Sequence, residues 1–307
     1  MMTSELKGKT IVVIGATGQV AQPLAMKLSE HNIVIGAARF RDASRRASLE
    51  EAGVQCVEID LSTGDVGNLP EAPDLVLNFA VAKSNNWTAD LDAGVGGTLA
   101  IMEQVQGASA LLHCSSTAVY KPMGHHVFSE DDPLGDNHGV WEFLRTYSTA
   151  KIAAEAAARY GSTRFKLPTT IARLSVPYGD GGGWPAIHLE MLRNGSAIPV
   201  HTTSPSIYHP LHDDDIYNMV PRLLEAAAVG GTTVNWGGKD PVSIEEWCNY
   251  LGELTGLDVT FAPTEQTIDS VQVDLTKLHA LVGESQVGWK DGFRQMVAAR
   301  RPELLKG

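Results

Sequence analysis

The sequence predicts an α/β fold: a doubly wound parallel sheet with a smaller C-terminal α/β lobe on the substrate side. Three observations predict it. Short apolar, β-branched runs bounded by turn residues recur at 10–14, 33–37, 55–59, 75–79, 110–114, 170–174 and 232–236. Segments with helical spacing lie between most of them, and the first run leads straight into a glycine-containing turn. Strand and helix in alternation give parallel strands joined by crossovers, with helices on both faces of the sheet.

Taken in order, strand 10–14 is followed by Gly15-Ala16-Thr17-Gly18-Gln19-Val20-Ala21 and a helix whose apolar face is Val20, Leu24 and Leu28. Pro23 is tolerated there only in or just past the first helical turn, where backbone donors have no intrahelical partner. Strand 33–37 ends in Ala38-Arg39-Phe40-Arg41, strand 55–59 in Asp60-Leu61, and strand 110–114 in Ser115-Ser116-Thr117-Ala118-Val119-Tyr120. An alanine-rich helix over 148–160 is expected to close at Gly161. Beyond Ser175 the pattern loosens into Gly- and Pro-rich loops, then a helix at 215–228 and strand 232–236. The tail from Val242 reads as helices 244–254 and 290–299 around a strand-like 259–261. The expected division is a dinucleotide-binding domain of 1–175 plus about 207–238, and a substrate lobe of about 176–206 and 239–307.

Composition narrows the function. At 307 residues, 43% hydrophobic and 20% charged, the chain is long enough and apolar enough for a sizeable core. A net charge of -12 repels phosphate backbones and anionic lipids. No nucleic-acid or membrane partner is expected, and the concentrated positive charge of Arg39, Arg41, Arg45 and Arg46 suits one bound phosphate. Cys56, Cys114 and Cys248 form no C-x-x-C pair, so a reducing, cytoplasmic setting is expected. The stretch 1–10 has no apolar run and no segment reaches bilayer-spanning length, so neither a leader nor an anchor is expected.

The turn at 15–21 lets backbone N–H groups close on a pyrophosphate, which side chains at Gly15 or Gly18 would block; the helix that follows adds its positive end. Thr17, Gln19 and Val20 belong to the same turn. At the end of the second strand no carboxylate is present to accept from a ribose 2′-hydroxyl, and Arg39 is placed to pair with a 2′-phosphate. NADP(H) is therefore expected over NAD(H), which stays as the alternative. Asp60-Leu61 is expected at the adenine.

Tyr147-Ser148-Thr149-Ala150-Lys151 puts a phenol and an ammonium one helical turn apart. A free tyrosine has a pKa of about 10, and lowering it by about 3 units requires roughly 4 kcal/mol of differential stabilisation. Lys151 is expected to supply that. Ser115 and Ser116, at the carboxyl end of a parallel strand, face the crevice where such sheets bind ligands. Cys114 is expected to pack in the strand, and no metal is expected at His209, His212 and Asp213-Asp214-Asp215, since proton transfer by Tyr147 and Ser116 needs none.

These pieces, with Arg173-Leu174-x-x-Pro177-Tyr178-Gly179 and Val287-Gly288-Trp289-Lys290, resemble an extended short-chain dehydrogenase/reductase of the NAD-dependent epimerase/dehydratase group over nearly the whole length. The resemblance implies a Rossmann-type sheet, a homodimer, and defined roles. Ser116 would orient the substrate, Tyr147 would act as acid/base, and Lys151 would also hold the nicotinamide ribose. Phe79-Ala80-Val81 would lie along the cofactor and Ser175-Val176 near its carboxamide. Lys83, Trp184 and Tyr208 join Ser116 as expected substrate contacts. Two departures stand out: Gly94 replaces a usual asparagine, and Tyr208 replaces an arginine that clamps nucleotide-sugar diphosphates. Trp87, Met123, Trp141, Phe143, Trp184, Met191 and Tyr208 near the expected mouth suggest an apolar or ring-shaped small molecule. The reading is an NAD(P)-dependent oxidoreductase working between a carbonyl and a secondary alcohol. Its rivals are a sugar epimerase or dehydratase that regenerates its cofactor, and a non-catalytic dinucleotide-sensing regulator.

Overall fold

The computed structural model describes residues 6–306, so part of the stretch 1–10 lies outside the described residues. Seven strands make one parallel sheet: β1 (Thr10–Ile14), β2 (Ile33–Ala38), β3 (Gln55–Glu58), β4 (Leu75–Asn78), β5 (Ala110–Ser116), β6 (Thr169–Leu174) and β7 (Thr232–Trp236). Their order is β7-β6-β5-β4-β1-β2-β3. The chain runs outward from β1 to β3, then returns to β4 on the other side of β1. That reversal opens a crevice at the carboxyl ends of β1 and β4. Residues 11–14 of β1 are fully buried because helices cover both faces; Ile11 and Val13 join one core cluster with Leu24 and Leu28, Val12 and Ile14 another with Ile101 and Met102.

On one face, α1 (Ala21–Ser29) buries Ala21, Leu24, Ala25 and Leu28, with Pro23 in its first turn. The helix α2 (Ala43–Glu51) is capped by Asp42, and α3 (Trp87–Gln104) by Asn86. The helix expected at 148–160 is longer. As α4 (Tyr147–Phe165) it runs through Gly161 and stops at Lys166, whose φ is 59°. Gly161 serves contact rather than termination: a Cβ there would lie 2.7 Å from the Met102 sulfur, so its absence lets α4 settle on α3. Gly94 does the same from α3, where a Cβ would meet the Ala150 carbonyl at 3.2 Å.

Downstream lie α5 (Trp184–Arg193), α6 (Asp213–Glu225), α7 (Ile244–Thr255), α8 (Thr276–Val282) and α9 (Trp289–Arg300). The helix expected at 215–228 starts earlier because the His212 ring accepts the Asp214 N–H and caps it. Lys27 of α1 reaches Asp214 at 2.7 Å, and the buried Asp215 carboxylate accepts the N–H groups of Gln286 and Val287. These bonds fasten the C-terminal segments to the sheet side. The strand expected at 259–261 forms instead at Phe261–Thr264, parallel to Ile198–His201. Val259 is taken up against α7, where it fills the space over Gly252. The core of this region is aromatic: Trp184, Tyr208 and Trp247 contact one another and Trp247 meets Phe293, with centroids 5.0–6.4 Å apart.

Candidate active site

The turn after β1 is shaped by backbone proximity. Gly15 has φ +77°, and a Cβ on it would sit 2.9 Å from the Ala80 nitrogen. The Gly18 N–H donates to the Gly15 carbonyl at 2.8 Å, and a Cβ on Gly18 would crowd that oxygen at 3.1 Å. Asn78, buried at the end of β4, accepts the Ala80 N–H at 3.1 Å and so fixes the facing wall. Between them opens a cavity of about 670 Å³. Of the expected cofactor residues, Gly15, Thr17, Gly18, Arg39, Asp60, Leu61, Phe79, Ala80, Val81 and Lys151 line it. Lys83, expected at the substrate, lines the same cavity. Gln19 faces elsewhere and donates to the Pro177 carbonyl at 3.2 Å, while Val20 borders a separate cavity of about 160 Å³ between α1 and α6. Ser175 is fully buried and accepts the His209 N–H; Val176 is half-buried against the core.

At the outer end of the cavity Arg39 and Arg41 are exposed. Asp60 is held below the usual carboxylate range by the Ser62 hydroxyl and N–H, with Arg39 and Arg41 adding to the effect. Asp42, four residues past the end of β2, has one oxygen engaged by the Ser44 N–H and hydroxyl and by the Arg45 N–H. Arg45 donates to the Thr17 carbonyl at 2.6 Å.

Ser116 ends β5, and Tyr147 opens α4. The Ser116 hydroxyl accepts the Ala118 N–H at 3.2 Å and lies close enough to the Tyr147 phenol to favour its ionised form. Burial nevertheless pushes the phenol up to about 12, the Ser116 hydroxyl pulling it back and Cys114 pushing it further. The expected acidification by Lys151 is absent. Its buried ammonium, lowered by the same loss of solvent, donates to the Cys114 carbonyl at 2.8 Å instead. The Cys114 thiol is pushed up to about 11 by burial, which leaves it a packing group.

Under this pair lies a buried ionic knot. Glu155, two turns along α4 from Tyr147, accepts from Ser115 at 2.6 Å, from Arg173 through Nε and Nη2 at 2.9 Å each, and from Arg159 at 3.2 Å. Arg173 also donates to the Tyr120 hydroxyl and the Glu130 carbonyl, and Tyr120 donates to Asn235. Burial pushes Glu155 upward, but the Arg173 fork outweighs it and holds the carboxyl below its ordinary value. Four elements, β5, α4, β6 and β7, are thereby locked beneath Ser116. Arg173 was visible in the sequence as part of a motif; Glu155, eight residues after Tyr147, was not singled out, although that spacing keeps it on the same helical face.

The model of the NAD dependent epimerase/dehydratase family matches residues 11–239. The chain belongs to that family. It is an enzyme of the short-chain dehydrogenase/reductase type, with the sheet such enzymes share. No curated protein matches it. Three solved structures resemble it closely in fold. The Bacillus cereus UDP-glucuronic acid 4-epimerase, in complex with UDP-glucuronic acid and NAD, is 18% identical, covering 94% of this chain and 98% of that one, with a TM-score of 0.80. The UDP-glucose 4-epimerase of Thermotoga maritima, with UDP-glucose, is 19% identical over 96% and 99%, TM-score 0.80. The dTDP-glucose 4,6-dehydratase of Bacillus anthracis, in complex with NAD, is 18% identical over 96% and 97%, TM-score 0.79.

The cavity fits a dinucleotide of the kind the family is named for: the turn after β1, the ends of β2 and β3, and residues 79–81 after β4 line one continuous crevice. Sequence reasoning missed three groups of this site. Asn78 and His113 face each other at 3.3 Å in its wall, and burial pushes His113 down to about 3, leaving the ring neutral. Asp90 accepts from Ser84, Asn85 and Thr146, tying the loop after β4 to the start of α4. A polar residue closing an apolar strand was the available signal for Asn78; Asp90 gave none. Tyr208 is buried with its hydroxyl donating to the Asp269 carbonyl at 2.8 Å, and Trp184 is half-buried beside it. Among the described residues no helix is long and apolar enough to cross a membrane.

Proposed function

We propose that the chain is a nicotinamide-dependent oxidoreductase that interconverts a carbonyl and a secondary alcohol, with Tyr147 as acid/base. The observation that carries this reading is the nearness of the Ser116 hydroxyl to the Tyr147 phenol, which it helps to ionise, one helical turn from Lys151 in the cavity wall. The bound dinucleotide would supply or accept the hydride. Ser116 holds the reacting oxygen in line, and Tyr147 passes it a proton or takes one back. To do so near neutral pH, a phenol now at about 12 must be stabilised as phenolate. Lys151, one turn along the helix, is the cation placed to do this once it leaves the Cys114 carbonyl. Gly15, Thr17 and Gly18 would hold the pyrophosphate, Asp60 and Leu61 the adenine end, and Lys151 the nicotinamide ribose.

NADP(H) is the preferred cofactor in this reading. Arg39 and Arg41 are exposed at the end of β2, and Asp42 is committed to capping α2, so the groups on offer there favour a 2′-phosphate over a bare 2′-hydroxyl. The proposed organisation is a dinucleotide-binding domain of 1–175 plus 207–238 and a substrate lobe of 176–206 and 239–307, in a cytoplasmic homodimer acting on a small molecule. A second reading, an epimerase or dehydratase that regenerates its cofactor, is supported by family membership and by the sugar nucleotides in the related structures.

The test is the Tyr147→Phe variant. It should bind NADPH as the parent does and lose about 10²–10⁴-fold in turnover, the range of general acid–base catalysis. Undiminished turnover would reject Tyr147 as the acid/base. A sustained change in nicotinamide absorbance during turnover distinguishes net oxidoreduction from epimerisation, which leaves that signal flat.

A further inference from the structure

Tyr147 has a second set of neighbours that the proton-transfer reading does not use. The His138 ring lies 5.2 Å from the Tyr147 ring, and Trp141 meets His138 edge-on at 5.4 Å. Phe143 stacks on Trp141 at 5.3 Å and 17°, and Trp184 of α5 meets Trp141 edge-on at 5.8 Å. A continuous wall of rings therefore runs from the acid/base toward the C-terminal region.

The wall is built rather than incidental. Asp136 accepts the N–H groups of His138 and Gly139, closing the turn that carries the rings. Asn137, buried, exchanges two hydrogen bonds with the Asp269 backbone, and His138 sits 3.3 Å from the Ser148 hydroxyl of α4. Trp184 is backed by Tyr208 and Trp247, whose indole donates to His188 at 2.8 Å. At the outer end Phe143 is 64% exposed, leaving one apolar face to water.

The segment that carries the first rings is poor in cations for a diphosphate: residues 136–146 hold Asp136 and Glu142 against a single Arg145. Arg193 and Arg301 are both engaged by Glu190, and Lys290 lies over the Tyr250 and Trp289 rings. Diphosphate recognition needs cations or N–H groups at fixed positions, whereas a flat apolar ring needs stacking faces and exclusion of water.

We propose that the substrate presented to Tyr147 bears an aromatic or similarly flat apolar ring beside its carbonyl or carbinol carbon, seated against Trp141, Phe143 and Trp184, and carries no diphosphate. The proposal rests on the acid/base reading of Tyr147 for its chemistry, but its test is of binding alone. The NADP⁺-loaded protein is titrated calorimetrically with 2-tetralone and, separately, with UDP-glucose. The expected result is a ketone dissociation constant at least about tenfold below that of UDP-glucose, with Phe143→Ala and Trp141→Ala each weakening ketone binding by about 3–30-fold. Because Phe143 is exposed, its truncation leaves the core intact and the test stands on that variant even if Trp141→Ala misfolds. UDP-glucose binding as tightly as the ketone, no measurable ketone binding, or ketone binding unchanged in Phe143→Ala would each overturn the proposal. Failure of the acid/base reading shows separately, as undiminished turnover in Tyr147→Phe.

Discussion

The dinucleotide crevice and the ring wall meet at Tyr147, yet they are made in opposite ways. The crevice is made by main chain: a glycine with φ +77° against Ala80, an N–H to carbonyl bond from Gly18 to Gly15, and Asn78 holding the facing loop. The arginines at its outer end, Arg39 and Arg41, stand in solvent. The wall is made by side chains drawn from segments more than a hundred residues apart, as in the Asn137–Asp269 bonds. A site made by backbone geometry tolerates few residue types and so is written locally; a site made by ring packing tolerates many combinations and is not.

That contrast can be broken by experiment. The largest effect is expected at Gly15. Gly15→Val places a branched side chain where even a Cβ meets Ala80 at 2.9 Å, so NADPH fluorescence enhancement should vanish. Retained cofactor binding would mean that the turn is softer than its contacts imply. Next comes the knot that both regions stand on. Glu155→Gln leaves the buried Arg173 guanidinium without its counter-charge and should lower stability by about 3–5 kcal/mol in urea titrations. A change under about 1 kcal/mol would show the ion pair to be replaceable. Third, Arg39→Ala should weaken NADPH by about tenfold while leaving NADH little changed. Equal weakening of both cofactors would remove Arg39 from 2′-phosphate recognition.

The smallest effect contrasts the buried Glu155 with a half-buried carboxylate, Asp213. Asp213 is pushed up to about 7 by burial and by Asp180 and Asp214. Its folded-state value exceeds its unfolded value of 3.8, so between pH 4 and 7 the native state binds more protons than the unfolded one. Stability from this group is therefore full at the acid end and is lost as pH rises through that window. Asp213→Asn should flatten the slope and raise the melting temperature at pH 8 by about 2–4 °C for each kcal/mol of strain removed. An unchanged pH profile would assign the slope to another group.

Much of the sheet was legible in advance. Runs 10–14 and 232–236 became β1 and β7 without change; the first, buried on both faces, reads as a nearly unbroken apolar stretch, while the edge strand β7 was marked by its β-branched Thr232-Thr233-Val234. The helix over 148–160 was legible in kind but not in extent. Gly161 reads as a stop in one dimension, and only the Met102 sulfur across α3 reveals it as a contact point. Tyr147 and Lys151 on one helix were legible from their spacing; the position of Lys151 on the Cys114 carbonyl was not, because a flexible ammonium goes to the nearest acceptor and spacing does not say which. The ring wall was visible only as a scatter of aromatic residues, whose order depends on how α5 meets the loop before α4.

Gly15 is required twice over. Its neighbour across the crevice is the main chain of Ala80, which would exclude a larger residue whether or not any phosphate ever arrived. A descendant of this chain that abandoned its dinucleotide would still have to keep glycine at that place to let the two strand ends pass. The turn is thus a signature of the crossover itself, and the arginines after β2 are the better witnesses to the guest.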